Sequence, residues 1–183
     1  MPNDDSVQLY DSLFALLISA DQVAARVREL GAMLEQRYGD KQPIFISILS
    51  GAFVFAADLI RAFRAPCEVS FVKLSSYEGM QSSGVLQTVL GIDTTLEHRH
   101  VIVVEDIVDT GRTLHFFLAH LRAQQPASLC TVTFLRKPTA ALFPVEVDFV
   151  GFDIPNRFVV GYGLDYNGLG RNLPGIYQLA EKR

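Results

Sequence analysis

Two neighbouring carboxylates and a small hydroxylated turn follow an apolar run in the middle of the chain. Residues 101–104 read VIVV, Glu105 and Asp106 come directly after them, and the turn 109–113 reads DTGRT. The backbone N–H groups of such a turn, at the start of a helix, are suited to bind a phosphate, whereas the carboxylates would repel it. The ligand must also offer sugar hydroxyls or Mg²⁺. A sugar phosphate with a metal-bound pyrophosphate meets both requirements.

Helix capping is the alternative explanation for the acidic residues of this stretch. Asp106 and Asp109 could accept hydrogen bonds from the first turn of the following helix, as Asp residues at helix starts often do. Two acidic residues directly after an apolar strand, followed by D-T-G-x-T, are a much less common combination. Their joint occurrence favours ligand binding over capping alone.

Helices and strands alternate along the chain. Ser19 and Gln22 have the spacing of a capping box, and apolar residues then recur at helical spacing up to Gly39. The predicted strands are 44–49, 67–74, 85–92, 101–105 and 128–135, and two further helices are predicted at 52–63 and 114–124. This order predicts an α/β fold of three layers, with a mainly parallel central sheet flanked by helices.

Two groups of loops are expected to carry function in this fold. Ligands of open α/β sheets bind beyond the carboxyl ends of the strands, so the loops after residues 49, 105 and 135 should meet there. The segment 75–84 is polar, rich in Gly and Ser, and long for a connection between two strands. It is therefore a candidate lid.

The two ends of the chain predict a small cap beside the main sheet. From Val145 onward, short apolar pieces are separated by Pro, Gly and Asn, which breaks the alternation of strands and helices. The length of 183 residues favours one domain. We expect a single domain, 1–183, with a core at about 40–147 and a cap formed by about 148–183 together with the N-terminal segment.

Charge and hydropathy narrow the classes of partner. A net charge of −4 and a pI near 5.5 argue against binding to nucleic acid or anionic lipid. The apolar run 13–20 is too short to cross a membrane. The residues before it are acidic, whereas a signal peptide carries positive charge there, so the run is not expected to be a signal peptide. Cys67 and Cys130 are too few for a disulfide framework or a zinc site. We expect a cytoplasmic protein that acts on small molecules.

The stretch VVEDIVDTGRTL (103–114) resembles the motif by which type I phosphoribosyltransferases bind phosphoribosyl pyrophosphate (PRPP). The segments 48–59, 74–84, 134–139 and 148–177 resemble the hypoxanthine-guanine members of that family, and the resemblance covers nearly the whole chain after about residue 18. It implies purine salvage: the 5-phosphoribosyl group passes from PRPP to N9 of hypoxanthine or guanine, with Mg²⁺ as cofactor. It also implies a homodimer or homotetramer, with 52–63 or 67–74 as the contact.

The resemblance assigns one set of residues to PRPP. In the family, the residues matching Glu105 and Asp106 bind the ribose hydroxyls directly or through the metal, and Asp165 matches a metal ligand near the pyrophosphate. Asp109 matches the general base that faces N7 of the purine, where a positioned carboxylate could contribute about 10²–10⁴ in rate. The implied PRPP set is Ser50, Gly51, Glu105, Asp106, Asp109, Thr110, Gly111, Arg112, Thr113 and Arg171.

A second set is assigned to the purine and to the lid. Lys137 matches the lysine that binds the oxygen at purine C6, which would select 6-oxopurines over adenine. Phe158 matches the ring that stacks on the base, and the backbone of Val159 would bond to the edge of the base. Ser76 and Tyr77 match the pair in the loop that closes over the reacting centre and excludes water. The implied purine set is Lys137, Phe158, Val159 and Asp165.

The pyrophosphate loop departs from the pattern of the family. Many members have Leu-Lys-Gly where this chain has Leu49, Ser50 and Gly51, so a cation is missing. Because the family loop often holds a cis peptide, we predict one between Leu49 and Ser50. Backbone N–H groups can still bind the anion there.

Other functions remain open at the level of the sequence. Proteins of this fold include regulators that sense nucleotides and bind RNA, which the acidic pI disfavours. Relatives that use xanthine or another base are a second alternative. Without the resemblance, three assigned residues have ordinary structural explanations. Lys137 could be a solvated charge in a loop, Phe158 could be a core residue, and Asp165 could be a turn residue. Hypoxanthine and guanine present the same C6 oxygen, so the sequence does not rank them.

Overall fold

The computed structural model describes residues 6–76, 86–90, 92 and 94–180. Tyr77 and most of the predicted lid 75–84 lie outside these residues. The elements in chain order are β1 (Ser6–Leu9), β2 (Ser12–Ile18), α1 (Ala20–Tyr38), β3 (Ile44–Leu49), α2 (Phe53–Ala62), β4 (Glu68–Ser76), β5 (Leu86–Leu90), β6 (His100–Val108), α3 (Arg112–Arg122), β7 (Ser128–Arg136), a 3-10 turn (Pro138–Ala140), β8 (Phe149–Asp153), β9 (Val159–Val160) and β10 (Ile176–Leu179).

The main sheet has six strands in the order β5-β4-β3-β6-β7-β8. Five of them run parallel, and β5 pairs antiparallel with β4 at one edge. The central strands β3 and β6 are buried along most of their length, which agrees with their continuous apolar sequences. The prediction of a mainly parallel α/β sheet is confirmed.

Alternate residues of the central strands pack into different apolar clusters. Phe45 and Ile102 lie in a cluster with side chains of α1 and α2, whereas Ile46 and Val103 lie in one with side chains of α3. This alternation follows from the period of two residues in a strand. The sheet is therefore covered by helices on both faces, as the three-layer prediction requires.

Helix α1 begins at the predicted capping box. The Ser19 side chain accepts a hydrogen bond from the Gln22 backbone N–H, and the Gln22 side chain accepts one from the Ser19 N–H. The apolar residues at helical spacing are buried, and the helix ends before Gly39. The capping box and the helical spacing of apolar residues both depend on residues close in the chain. The sequence therefore predicts the start and the end of this helix correctly.

The cap is a second sheet that joins the two ends of the chain, in the order β1-β2-β10-β9. β10 pairs with both β2 and β9, so the N-terminal hairpin and the C-terminal strand form one layer. β8 pairs parallel with β7 in the main sheet, which differs from the predicted cap boundary near residue 148. A five-residue apolar strand has the same pattern in either sheet, so its assignment depends on long-range pairing.

The two cysteines are unpaired by any disulfide and pack against the main apolar core. Cys67 and Cys130 are free thiols, and burial raises the pKa of both, that of Cys130 to about 12. They pack as small hydrophobes. Across the described ranges, no helix has both the length and the apolar character needed to pass through a membrane.

Candidate active site

Three loops meet at the carboxyl edge of the main sheet, as predicted. After β3, Gly51 lies so close to β6 that a Cβ atom there would collide with the Asp106 carboxylate. After β7, the Lys137 N–H donates a 2.9 Å hydrogen bond to the Val108 carbonyl at the end of β6. Any larger residue at position 51 would displace the Asp106 carboxylate, and the chain reversals after β3 and β7 both border the end of β6.

Glu105 and Asp106 form a carboxylate pair in which Asp106 accepts a 2.8 Å hydrogen bond from the Ile107 N–H. Glu105 is buried, and its Oε2 atom has no hydrogen-bond partner among the residues that the structure describes. Burial, and then the neighbouring Asp106 charge, raise the pKa of Glu105 well above its usual range. Burial also raises the pKa of Asp106, although hydrogen bonds with the Glu105 side chain and the Ile107 N–H, and then the Arg171 charge, act in the opposite direction. A hydroxyl donor or a cation would satisfy both groups.

The acidic pair fits a magnesium ion. Carboxylate oxygens are the ligands that Mg²⁺ prefers, and the buried Glu105 Oε2 has no hydrogen-bond donor among the described residues. Within the described part of the chain, no cluster of three or more His, Cys, Asp or Glu residues forms a complete metal cage. Mg²⁺ commonly binds to one or two carboxylates together with substrate oxygens, which is the arrangement that these residues permit.

The turn after β6 presents backbone N–H groups at the start of α3. Gly111 adopts a left-handed conformation with φ of 78°. The backbone N–H groups of Leu142 and Phe143 donate hydrogen bonds to the carbonyl of Thr110, the residue before Gly111. In the part of the chain that is described, neither Asp106 nor Asp109 accepts a hydrogen bond from the first turn of α3, so the capping explanation for these two residues is wrong. Thr110 Oγ1 accepts a long hydrogen bond of 3.4 Å from the Arg112 N–H. The remaining N–H groups of this first turn are suited to bind an anion.

A cavity of about 100 Å³ connects the turn with Glu105 of the acidic pair. It is lined by Glu105 and residues 107–114, which include most of the residues predicted for PRPP. The predicted set from Asp109 to Thr113 is therefore brought together by the tertiary structure with the buried Glu105. The N–H groups at the start of α3 and the carboxylates of Glu105 and Asp109 therefore border the same cavity.

Lys137 forms an ion pair with Asp109. The Lys137 ammonium lies 2.6 Å from Asp109 Oδ2, and the Lys137 side chain is only 8% exposed. The two residues follow adjacent parallel strands, β6 and β7, and the hydrogen bond between Lys137 N–H and the Val108 carbonyl holds the strand ends together. The lysine is thus a buried donor beside a carboxylate acceptor, not a solvated loop charge.

The segment 161–171 lies against the loop after β3. A Cβ atom on Gly163, whose φ is 103°, would collide with the Gly51 carbonyl. Arg171 donates a 2.6 Å hydrogen bond to the Gly163 carbonyl and pairs with Asp165. Asp165 also accepts a hydrogen bond from the Gly168 N–H, so it stabilises its own turn. Asp165 and Arg171 are thereby held together beside the predicted pyrophosphate loop.

The cap contributes an exposed aromatic ring. Phe158 is 47% exposed, and its ring contacts Phe14 and Tyr166 with centroid distances of 6.3 Å and 5.8 Å. Val159 is buried, and its backbone pairs with Gln178 of β10. A ring supported on one side and open on the other can stack on a flat ligand. The supporting rings were missed by the sequence analysis because nothing in their local pattern marks them.

Two further predictions concern the loops after β3 and β4. The peptide bond between Leu49 and Ser50 is cis, as predicted, and Ser50 is exposed. Ser76 is the last residue of β4 and is opposite Leu86 of β5. Its predicted lid partner, Tyr77, is outside the described residues, so the structure does not test the lid.

Comparisons with known proteins agree with this fold. Residues 19–167 match the phosphoribosyl transferase domain family. The hypoxanthine-guanine phosphoribosyltransferase of Aquifex aeolicus is 40% identical over 168 residues, which are 91% of this chain and 94% of that protein. The hypoxanthine-guanine-xanthine phosphoribosyltransferase of Tritrichomonas foetus is 39% identical over 174 residues, which are 94% of this chain and 95% of that protein.

A solved structure shows the same likeness in three dimensions. The crystal structure of a hypoxanthine-guanine phosphoribosyltransferase from Bacillus anthracis has a TM-score of 0.85 and 38% sequence identity, and the match covers 91% of this chain and 96% of that one. Sequence and structure thus agree over nearly the full length of the relatives. The chain belongs to the phosphoribosyl transferase domain family, and within it to the hypoxanthine-guanine phosphoribosyltransferases.

Proposed function

We propose that the carboxyl edge of the main sheet is the active site of a purine-salvage enzyme. The chain transfers the 5-phosphoribosyl group from PRPP to N9 of hypoxanthine or guanine and forms IMP or GMP and pyrophosphate. The observation that carries the site assignment is the 2.6 Å contact of Lys137 with Asp109. A 6-oxopurine presents O6 and N7 on one edge, so it needs a donor and an acceptor side by side.

Binding of the base follows from this pair. Lys137 donates to O6, which a 6-oxopurine has and adenine lacks, and Asp109 accepts the proton of N7. The exposed face of Phe158 stacks on the ring, and the Val159 backbone bonds to the edge of the base. Burial of Lys137 makes the charge-assisted hydrogen bond stronger than it would be in water.

Binding of PRPP uses the remaining residues of the same edge. The turn from Asp109 to Thr113 holds the 5′-phosphate, and Glu105 and Asp106 bind the ribose hydroxyls. The backbone of Ser50 and Gly51, together with the guanidinium of Arg171, binds the pyrophosphate. Gly51 lies against both Asp106 and Gly163, which supports a single PRPP site spanning these loops.

Magnesium is the proposed cofactor. Glu105 and Asp106 would hold it on the ribose side, and Asp165 near the pyrophosphate. When bound, it supplies positive charge that neutralises the leaving pyrophosphate. The residues of the chain orient the two substrates and remove the N7 proton through Asp109, so catalysis is mainly positioning and electrostatics. Ser76 and Tyr77 are the proposed lid, which excludes water from the ribosyl centre.

A substrate comparison tests the proposed function. We expect formation of IMP and GMP from hypoxanthine and guanine with PRPP and Mg²⁺, much slower reaction with adenine, and loss of activity when EDTA removes the metal. The measurement is kcat/KM for hypoxanthine, guanine, xanthine and adenine under one condition. Equal rates with adenine and hypoxanthine would contradict the role of Lys137, and absence of IMP formation would overturn the function.

Xanthine is a second candidate substrate. A relative that is 39% identical over 94% of this chain carries xanthine in its name. Xanthine also has the C6 oxygen that Lys137 recognises, so the contact between Lys137 and Asp109 does not exclude it. Competition of xanthine against labelled hypoxanthine separates the two cases: inhibition together with XMP formation supports the broader activity, and lack of inhibition excludes it.

A homodimer or homotetramer is the proposed assembly. Phe53 at the start of α2 is 44% exposed, and Val69 and Phe71 on β4 are each 42% exposed. These apolar side chains lie on the two elements expected to form the contact. Size-exclusion chromatography with light scattering should give a dimer or tetramer, and Phe71→Glu should shift the mass toward the monomer. A monomeric wild-type chain would contradict the proposal.

A further inference from the structure

Tyr162 of the cap donates a hydrogen bond to Asp58 of α2. The phenol oxygen lies 2.8 Å from Asp58 Oδ2, and Tyr162 is only 6% exposed. We propose that Tyr162 and Asp58 are positioning residues, which set the distance between Arg171 and the pyrophosphate loop and so control the affinity for PRPP. This inference rests on the proposed function, because it concerns the same pyrophosphate site.

Three contacts hold the Tyr162 side chain and backbone in one position. Its ring packs on Phe134 of β7 at a centroid distance of 4.8 Å, and Phe134 in turn packs on Phe55 of α2 at 5.1 Å. Its backbone N–H donates to the Leu173 carbonyl at 2.8 Å. The hydrogen bond to Asp58 completes a link from the cap to the helix that follows the pyrophosphate loop.

The backbone next to Tyr162 transmits this position to the pyrophosphate site. Gly163 lies directly against the Gly51 carbonyl, and its own carbonyl accepts the hydrogen bond from Arg171. The Gly163 N–H donates to the Arg171 carbonyl, so the two residues are joined in both directions. Asp58, Tyr162 and Arg171 line one groove of about 360 Å³. A shift of Tyr162 would therefore move Arg171 relative to Gly51.

The link is separate from the purine half of the site. Lys137 and Asp109 are positioned by the ends of β6 and β7, and Phe158 is supported by Phe14 and Tyr166. None of the contacts described for Tyr162 passes through these residues. A positioning role thus predicts a selective effect on PRPP, whereas a general loss of folding would affect both substrates.

The decisive variant is Tyr162→Phe. The Asp58 side chain is 42% exposed, so water can replace the lost hydroxyl and the variant is expected to fold. We expect KM for PRPP and the Kd of PRPP with Mg²⁺ to rise about tenfold, with KM for hypoxanthine unchanged. Asp58→Asn keeps an acceptor and should stay near wild type, whereas Asp58→Ala should match Tyr162→Phe.

Matched controls and a double variant separate the explanations. Tyr177→Phe removes a hydroxyl from a half-buried tyrosine of β10, and Arg61→Met removes the exposed ion-pair partner of Asp58; neither should change KM for PRPP. Tyr162→Phe combined with Asp58→Ala should have no larger effect than either alone. If the wild type is active, this inference would be overturned by either of two results: a PRPP affinity of Tyr162→Phe equal to that of the wild type, or equal rises in its KM values for PRPP and hypoxanthine. An inactive wild type would instead refute the proposed function.

Discussion

The Lys137 ammonium and the Asp109 carboxylate lie 2.6 Å apart at the ends of two adjacent parallel strands. The lysine side chain is 8% exposed and that of the aspartate 45%, so the pair has one buried and one open end. A ligand can therefore reach the carboxylate without displacing the lysine. The arrangement combines a charged donor and an acceptor within the width of one purine edge.

Asp109→Asn should reduce turnover far more than PRPP affinity. Asparagine can still accept a hydrogen bond, but it does not take up the N7 proton, so we expect kcat to fall by about 10²–10⁴. Steady-state kinetics with both substrates measures the effect. The control is Asp153→Asn, which breaks an exposed strand-end ion pair with Arg136 and should change kcat by less than about twofold. Wild-type turnover in Asp109→Asn would refute the role as base.

Lys137→Met should weaken discrimination between purines. The variant loses the donor to O6, and a hydrogen bond to a charged group is worth about 1.5–3 kcal/mol. We expect kcat/KM for hypoxanthine to fall roughly ten- to a hundredfold relative to adenine. The ratio of the two kcat/KM values is the measurement, with KM for PRPP as the internal control. An unchanged ratio would show that the C6 oxygen is recognised elsewhere.

Glu105→Gln should stabilise the ligand-free protein at neutral pH and weaken substrate binding. Because the pKa of Glu105 is raised in the folded state, the folded protein binds more protons than the unfolded chain above the usual pKa of 4.5. The stability of the wild type therefore falls as the pH rises from about 4.5 through the raised pKa. Glutamine does not ionise, so the variant does not lose this stability as the pH rises. Its Tm should therefore exceed that of the wild type by an amount that grows with pH.

Thermal unfolding between pH 4 and 8 measures the effect of Glu105→Gln, and KM for PRPP should rise in the same variant. The control is Glu29→Gln, whose carboxylate is 61% exposed and pairs with Arg26. It should show no comparable dependence on pH. A Tm for Glu105→Gln that lies below the wild type at every pH would contradict the raised pKa.

Ser50→Lys should strengthen binding of PRPP. Ser50 is exposed in the loop after β3, so the variant adds a cation beside the proposed pyrophosphate site. A solvent-exposed ion pair is worth about 0.2–1 kcal/mol, which predicts a roughly 1.5- to fivefold lower KM for PRPP at low salt. The gain should decrease at high salt because of screening. Ser50→Met is the uncharged control, and an equal gain in that variant would exclude a charge effect.

Local patterns in the sequence predicted much of the fold. The capping box at Ser19, the apolar strands β3 and β6, and the glycine turn before α3 all depend on residues close in the chain. The placement of β8 was predicted wrongly, since an edge strand of the main sheet and a cap strand share one apolar pattern. Its partner strand depends on the rest of the fold.

The candidate site was predicted as residue types but not as contacts. By itself, the sequence determined the acidic pair, the turn proposed to bind phosphate and the lysine after β7, because each follows a strand whose end is marked by a local change from apolar to polar residues. Only the tertiary structure decided that Lys137 pairs with Asp109, 28 residues away, and Tyr162 with Asp58, 104 residues away. Contacts between distant segments arise from the packing of strands and helices into layers, and no local pattern specifies which polar atoms this packing brings together.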